Sequence, residues 1–351
     1  MKTVLGVNIG IDLGTTSIVI YVEGRGIVLS EPSVAAYDTK SGRLIAVGKR
    51  AYEMLGRTPD SIRIVKPMRN GVVSDFTATR HILRYFLSGI CKNMVFKPNI
   101  IVCVPSTVTN LEKRTILDLI TSSGAGKACL IEEPLAAALG AGLESDRPVG
   151  TMVVDIGGGT TDIAVMTMGS ISVSRSINSA GNAFDEAIMR QLKRERDILI
   201  GERTAESIKM RVGCAELREV ELGINVKGKH FITGMPVSLE VTSTEVYLAM
   251  RQHLELIGEG VRSVLELTPP ELGSDIFNSG IYLPGGGALL EGIDRMISRK
   301  TGIKTYIAKN PLNCVALGTG RALDDMDILI DNGCMFKTRD EIGGLSGSFD
   351  E

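Results

Sequence analysis

Along the chain, short apolar runs alternate with segments in which apolar residues recur every three or four positions. The first pattern predicts strands and the second helices. Over residues 7–22 an apolar run closes on a glycine turn and resumes, which predicts a β-hairpin. A turn at Glu23-Gly24-Arg25-Gly26 leads into Ile27-Val28-Leu29, and Glu31-Pro32-Ser33-Val34-Ala35 keeps the β character. Residues 37–73 form a small excursion rich in charge and turn residues. Ile82, Leu83, Phe86, Leu87 and Ile90 share one face and predict a helix over 77–90, followed by a buried strand at 99–104. Thr109 and Glu112 make a capping box before Leu111, Ile116, Leu117 and Ile120, and Gly124 ends that helix. A strand around Cys129 runs into Glu132-Glu133-Pro134, and residues 134–143 read as a small, alanine-rich buried helix.

The order restarts at Met152 with a second hairpin. Phe184, Ile188 and Leu192 mark a helix whose polar face carries Lys193, Arg194 and Arg196, and another helix begins near Thr204. Residues 217–239 read as a β-rich insert. Thr242 and Glu245 form a second capping box, opening a long helix through Val246, Met250, Leu254, Ile257, Val261 and Leu265 that Pro269-Pro270 stops. Ile281-Tyr282-Leu283-Pro284 leads into Gly285-Gly286-Gly287, after which a helical pattern begins at Ala288, with Leu290, Ile293, Met296 and Ile297 on one face. Strands and crossover helices in each half predict an α/β fold of two lobes, each with a smaller insert. The glycine-, serine- and acid-rich tail at 332–351 reads as mobile.

The two hairpins carry nearly the same turn. Asp12-Leu13-Gly14-Thr15-Thr16 is echoed by Asp155-Ile156-Gly157-Gly158-Gly159-Thr160-Thr161: an acid ends an apolar run, then glycine and paired threonines follow. Glycine lets backbone N–H groups converge on an anion, and hydroxyls add donors. One acid per turn, Asp12 and Asp155, suits a hydrated Mg²⁺ beside phosphates. A single turn of this kind is more often an ordinary hairpin; the repetition points to two lobes gripping one nucleotide triphosphate. The Gly285-Gly286-Gly287 turn, between a strand and a helix start, adds a third place where a base or phosphate can approach the backbone.

Composition narrows the class. The 351 residues suit about two domains, and a formal net charge of −2 provides no basic field for nucleic acid. Six cysteines without a C-x-x-C pair read as reduced, Cys103 and Cys129 as small core residues, and three separated histidines form no metal-ligand spacing. His253, among polar neighbours, reads as a surface residue. No signal peptide or membrane-length apolar run is evident, so a soluble, cytoplasmic protein is expected.

These residues resemble the actin-like ATPase superfamily and, within it, the MreB/Mbl family of bacterial actins. The likeness runs from about Ile9 to Leu329 and rests on Glu31-Pro32-Ser33-Val34, Lys66-Pro67-Met68-Arg69-Asn70-Gly71-Val72, Ile131-Glu132-Glu133-Pro134-Leu135-Ala136-Ala137-Ala138, Gly201-Glu202-Arg203-Thr204-Ala205-Glu206 and Thr268-Pro269-Pro270-Glu271-Leu272. It implies a duplicated, ribonuclease H-like actin fold with the nucleotide in the cleft between two lobes. The first lobe would span 1–145, with an insert at about 34–73 and completion by about 318–331. The second would span 146–317, with an insert at about 182–241.

By position, the resemblance makes Gly14, Thr15, Thr16 and Ser17 the first phosphate loop and Gly157, Gly158, Gly159 and Thr160 the second, with Asp12 and Asp155 holding Mg²⁺ through its waters. Glu206, Ser207, Ile208 and Lys209 resemble the segment that contacts ribose and adenine, and Gly286, Gly287, Ala288 and Leu289 the loop over the base. Glu133 resembles the residue positioning the attacking water, assisted by Thr160. Read by itself, an acid just before Pro134 is equally a favourable dipole partner at a helix start. Ser17 departs from the Asn usual in the family, and Asp162 stands where members often carry Glu.

The implied activity is slow, Mg²⁺-dependent ATP hydrolysis timing the turnover of homopolymer filaments, which lie on the inner face of the cytoplasmic membrane and organise cell-wall synthesis with membrane morphogenesis proteins. Met94-Val95-Phe96 matches a short apolar membrane loop; a loop packing its Phe on the domain is the other reading. A chaperone-type ATPase would carry a substrate domain after this core, and a small-molecule kinase a larger substrate-binding insert. The Glu-Glu-Pro phrase at Glu132 and the Thr-Pro-Pro phrase at Thr268 favour the filament protein.

Overall fold

A computed structural model describes residues 7–92, 95–143, 147–324 and 335–338. The chain divides into two compact units, one taking residues up to 144 and from 313 onward, the other 145–312.

The first unit opens with β1 (Asn8–Leu13), β2 (Ser17–Val22) and β3 (Gly26–Pro32). A small sheet follows, with β4 (Ala35–Asp38) between β5 (Leu44–Val47) and β6 (Ile62–Val65), and α1 (Lys49–Met54) packed on it. A two-stranded ribbon of β7 (Met68–Arg69) and β8 (Val72–Val73) leads to α2 (Phe76–Ile90), β9 (Asn99–Val104), α3 (Asn110–Ser123), β10 (Lys127–Glu132) and α4 (Glu133–Ala141). The boundaries have local causes. Asp75 accepts from the Ala78 amide at the start of α2, the Thr109–Glu112 capping box opens α3, and Gly124 closes it with a positive φ. Ile9, Ile11, Ile82, Leu83, Ile100 and Leu119 are fully buried, each contributing roughly 1.5–3 kcal/mol.

In the second unit β11 (Thr151–Ile156), β12 (Thr161–Thr167) and β13 (Ser170–Ile177) are followed by α5 (Gly181–Arg196), β14 (Ile198–Leu199), α6 (Glu202–Val212), β15 (Gly223–His230) and β16 (Pro236–Thr242). The long α7 (Ser243–Leu267), α8 (Pro270–Ser279), β17 (Ile281–Leu283), α9 (Ile293–Thr301) and β18 (Thr305–Ile307) complete it. The chain then returns to the first unit with α10 (Cys314–Ala322) and β19 (Phe336–Thr338).

The two main sheets share one plan. Strand order β3-β2-β1-β9-β10 in the first unit matches β13-β12-β11-β17-β18 in the second. In each, two antiparallel pairings are followed by two parallel ones. The chain is a structural duplication.

In the first unit α4 and α10 approach backbone to backbone. A Cβ on Gly140 would lie 1.7 Å from the Cys314 carbonyl oxygen, and one on Gly318 would lie 1.6 Å from that of Ala136. Only glycine permits this contact, which fixes the helix that Glu133 begins.

Several expectations need correction. The helical pattern after the third glycine cluster is interrupted. Residues 286–289 form a 3₁₀ turn, and α9 starts only after Gly292, whose φ of 78° breaks a continuous helix. Pro269-Pro270 stops α7 but also starts α8, because proline suits the first helical turn. Within the stretch read as β-rich from 217, strand starts only at Gly223, and the insert sheet also takes in β14 from ahead of α6. His253 is half-buried, its ring edge-on to Phe184 and its Nδ1 3.1 Å from the Ser179 hydroxyl. Within the tail read as mobile, residues 336–338 form β19 on the edge of β10, held by backbone pairing. Residues 332–334 and 339–351 lie outside the described residues, as do Met94 and 325–331.

Candidate phosphate-binding turns

The hairpin of β1 and β2 closes where the Gly14 amide donates to the Ser17 carbonyl at 3.0 Å. The hairpin of β11 and β12 closes in the same way, from Gly157 to Thr160 at 2.9 Å. This equivalence corrects the reading of the paired threonines. Leu13 pairs with Ile18 and Ile156 with Thr161, so Ser17 corresponds to Thr160. Thr15 and Thr16 therefore sit at the turn tip, where the second hairpin has Gly158 and Gly159. A sequence match by threonines alone slips the register.

The carbonyls of both turns are already engaged on one side. Thr16 accepts from the Ser33 amide at 2.9 Å. Gly157 and Gly158 accept from the Gly181 and Asn182 amides at the start of α5, at 3.1 and 2.7 Å. In a trans peptide the carbonyl and the following N–H point in opposite directions. The amides of Ser17, Gly158 and Gly159 are thereby aimed away from these partners, which is the arrangement an anion requires. Thr15 is tied down differently, since its Oγ1 accepts from the Gly71 amide at 2.8 Å. That contact links the first turn to the Lys66-Pro67-Met68-Arg69-Asn70-Gly71-Val72 phrase.

Three groups with chemistry lie at the carboxyl ends of the parallel strands β1, β9 and β10: Asp12, Cys103 and Glu133. The Cys103 thiol donates to Asp12 Oδ1 at 3.5 Å. Burial pushes the Asp12 carboxyl up to about 6, partly offset by that thiol. Cys103 is pushed well above the ordinary thiol range, first by burial and then by the charges of Asp12 and Glu133, so it remains a neutral donor. Glu133 is the first residue of α4, with Pro134 in the opening turn.

In the second unit Asp155 is 2 % exposed and stands opposite Asp162 across the β11–β12 ladder. Burial raises the Asp162 carboxyl above its usual range, against hydrogen bonds from Thr160 and Ser176. The third glycine cluster packs directly on this strand end. A Cβ on Gly285 would come within 2.3 Å of Asp155 Oδ1, and one on Gly287 within 2.2 Å of the Ile156 side chain. Lys209 Nζ donates to the Gly181 carbonyl and to Asp185 Oδ2, each at 2.9 Å, so α6 braces the helix start that supports the Gly157–Gly158 turn. Glu206 and Ser207 are half-buried, whereas the Ile208 side chain is fully inside the hydrophobic core and offers a ligand only its backbone. Ala288 is buried and Leu289 is 58 % exposed.

The structure thus gathers Asp12, Gly14, Thr15, Thr16, Ser17 and Glu133 within the first unit. Asp155, residues 157–160, Lys209 and residues 286–289 lie within the second. The roles of Cys103, Gly71, Gly181 and Asp185 escaped the sequence reading because they come from strand and helix pairing. The place of Cys103 near the end of a buried strand was the one legible hint.

The family model described as MreB/Mbl protein matches residues 6–331. The chain is 45 % identical over 325 residues to the cell shape-determining protein Mbl of Bacillus subtilis (strain 168), covering 92 % of this chain and 97 % of that one. It is 43 % identical over 331 residues to the cell shape-determining protein MreB of Escherichia coli (strain K12), covering 92 % and 94 %. The crystal structure of MreB5 of Spiroplasma citri bound to ADP superposes with a TM-score of 0.89 at 38 % identity, covering 93 % of this chain and 99 % of that one. The same protein bound to AMPPNP gives 0.86 at 37 % identity, covering 93 % and 98 %. The fold is actin-like.

Proposed function

The chain belongs to the MreB/Mbl family, and from that premise we propose that it is an ATP-binding bacterial actin that assembles into filaments and helps determine cell shape. The observation that carries this reading is the duplicated turn. Gly14 and Gly157 close equivalent hairpins, each preceded two residues earlier by an acid. The relative solved with ADP and with AMPPNP shares the fold over nearly its whole length and supports a nucleotide as the ligand.

In this reading the amides of Ser17, Gly158 and Gly159 and the backbone of Thr160, with the hydroxyl of Thr16, receive phosphate oxygens, while the Thr160 hydroxyl donates to Asp162. Asp12 and Asp155 hold magnesium through its waters. Among the described residues no three His, Cys, Asp or Glu side chains are gathered to ligate an ion directly. When bound, magnesium neutralises charge beside the phosphates. Glu133 orients the attacking water, and Thr160 assists as a hydrogen-bonding partner. Glu206, Ser207 and Lys209, with the Ile208 backbone, face ribose and adenine, and residues 286–289 cover the base. The supporting feature is the close packing of Gly285 and Gly287 on Asp155 and Ile156, which leaves room for backbone but not for larger side chains. Hydrolysis is slow and times filament turnover.

Membrane attachment is assigned to Val95 and Phe96, which are 61 % and 62 % exposed and are followed by exposed Lys97. Among the described residues no helix is long and apolar enough to cross a membrane. A few apolar side chains per subunit bind weakly, and assembly multiplies them. Filaments on the inner face of the cytoplasmic membrane would then organise cell-wall synthesis and membrane morphogenesis proteins. Electron microscopy of the protein with ATP, Mg²⁺ and anionic liposomes tests the reading. Filaments on liposomes are expected, and a Val95→Ser, Phe96→Ser variant should form filaments that stay in solution. Absence of filaments from the wild type rejects the reading; variant filaments that still coat liposomes reject the loop.

A further inference from the structure

One strand stands outside the duplicated plan. Among the described residues the second sheet ends at β18, whereas the first continues past its counterpart β10 to a further antiparallel strand, β19. β19 also lies beyond residues 6–331, the stretch that matches the family model. It is an addition both to the duplication and to the family pattern.

Its hold on the sheet is slight. Lys127 pairs with Thr338, Ala128 with Lys337 and Cys129 with Phe336. The Leu130 amide donates to the Met335 carbonyl at 3.0 Å, so ladder alternation makes Ala128 and Lys337 the next hydrogen-bonded pair. Two side-chain contacts fix the register. The Lys127 ammonium lies 5.7 Å from the centre of the Phe336 ring, and Lys337 is paired with Asp118 on α3. Phe336 nevertheless remains 41 % exposed. A strand this short, with its aromatic ring partly in water, belongs to the low end of local stability. Departure of β19 would open the amides and carbonyls of Ala128 and Leu130 on this sheet edge, a template for an added strand.

We infer that the outer edge of β10 is a strand-docking site closed in cis by residues 335–338, and that it accepts an extended peptide with an aromatic residue followed by lysine once that segment leaves. The aromatic residue is selected by Lys127, whose ammonium meets its ring face. The lysine is selected by Asp118. The chain's own Met335-Phe336-Lys337-Thr338 carries this pattern in the right order and is the resident occupant. The site is independent of the nucleotide reading, because none of its contacts involves the phosphate turns.

The test uses the full-length protein with Lys337→Pro, which removes both the ladder donor to Ala128 and the ammonium facing Asp118. A fluorescein-labelled peptide of residues 335–341 serves as the probe, read by anisotropy. Saturable binding to the variant is expected, with binding to wild type weaker by about tenfold or more because the resident segment competes. The same peptide carrying Lys337→Pro should not bind. Hydrogen exchange gives a second measurement on unmodified protein: the Ala128 and Leu130 amides should be protected in wild type and exposed in the variant, while those of β9 stay protected in both. Equal peptide binding to both proteins, or to neither, overturns the proposal, as do unprotected Ala128 and Leu130 amides in wild type. A concentration-dependent dimer of wild type that Lys337→Pro abolishes would mean that the segment is exchanged between copies, and would overturn closure in cis.

Discussion

Cys103 and Asp12 meet across neighbouring strands, the thiol donating to the carboxylate at 3.5 Å in a buried setting. A thiol enclosed near two carboxylates cannot readily ionise, so it acts as a fixed donor that orients Asp12. Cys103→Val removes the donor and adds one methyl group. Mg²⁺-ATP affinity should fall by about fivefold, the worth of one modest hydrogen bond of ~1 kcal/mol. Nucleotide affinity in EDTA should be unchanged, and Cys103→Ser should restore most of the loss. Calorimetry finding equal Mg²⁺-ATP affinities for wild type and Cys103→Val would remove this role.

Glu133→Ala should slow phosphate release from ATP while leaving nucleotide affinity near the wild-type value, because the side chain is assigned to the water and not to ATP. Wild-type release kinetics in this variant would exclude Glu133 from hydrolysis.

Gly318→Ala attacks the same helix from behind. Its Cβ would sit 1.6 Å from the Ala136 carbonyl oxygen, so α4 and α10 must separate. A destabilisation of about 3 kcal/mol or more is expected, at or beyond the usual range for overpacking. Chemical denaturation measures it, and a loss below about 1 kcal/mol would show that the helices yield easily.

Fold class was legible because the hydrophobic periods and caps are local. The Thr109–Glu112 and Thr242–Glu245 boxes each stand where the sequence puts them, with both reciprocal hydrogen bonds formed. The duplicated turns were legible as motifs, but their alignment was not. Which residue of the first turn corresponds to Thr160 depends on strand register, and register is set by pairing across the sheet. For the same reason the sequence did not reveal the Cys103–Asp12 contact, the bracing of α5 by Lys209 or the docking of β19. Gly292 hid the break before α9, since a single left-handed residue interrupts a helix without disturbing its apolar spacing.

His253 gives a pH signature for the second unit. Burial first, and the Arg190 charge second, hold its ring below the ordinary value of 6.5, with Glu186 opposing. The folded protein therefore keeps His253 neutral where the unfolded chain already takes up a proton. This contribution is fully present above pH 6.5 and is lost progressively as pH falls from there toward the lower folded value. His253→Gln should flatten that part of the stability profile, measured by thermal melts between about pH 5 and 7.5. An unchanged slope would place the titration elsewhere.

The central claim is that the paired turns bind Mg²⁺-ATP and that binding drives assembly. Sedimentation of purified wild type and Asp155→Ala, with and without Mg²⁺-ATP, alongside calorimetric titration of each, tests it most directly. Wild type should bind Mg²⁺-ATP and pellet in its presence, whereas Asp155→Ala should bind more weakly and remain in the supernatant at the same concentration. Equal Mg²⁺-ATP affinity and equal pelleting of the two proteins would contradict the account.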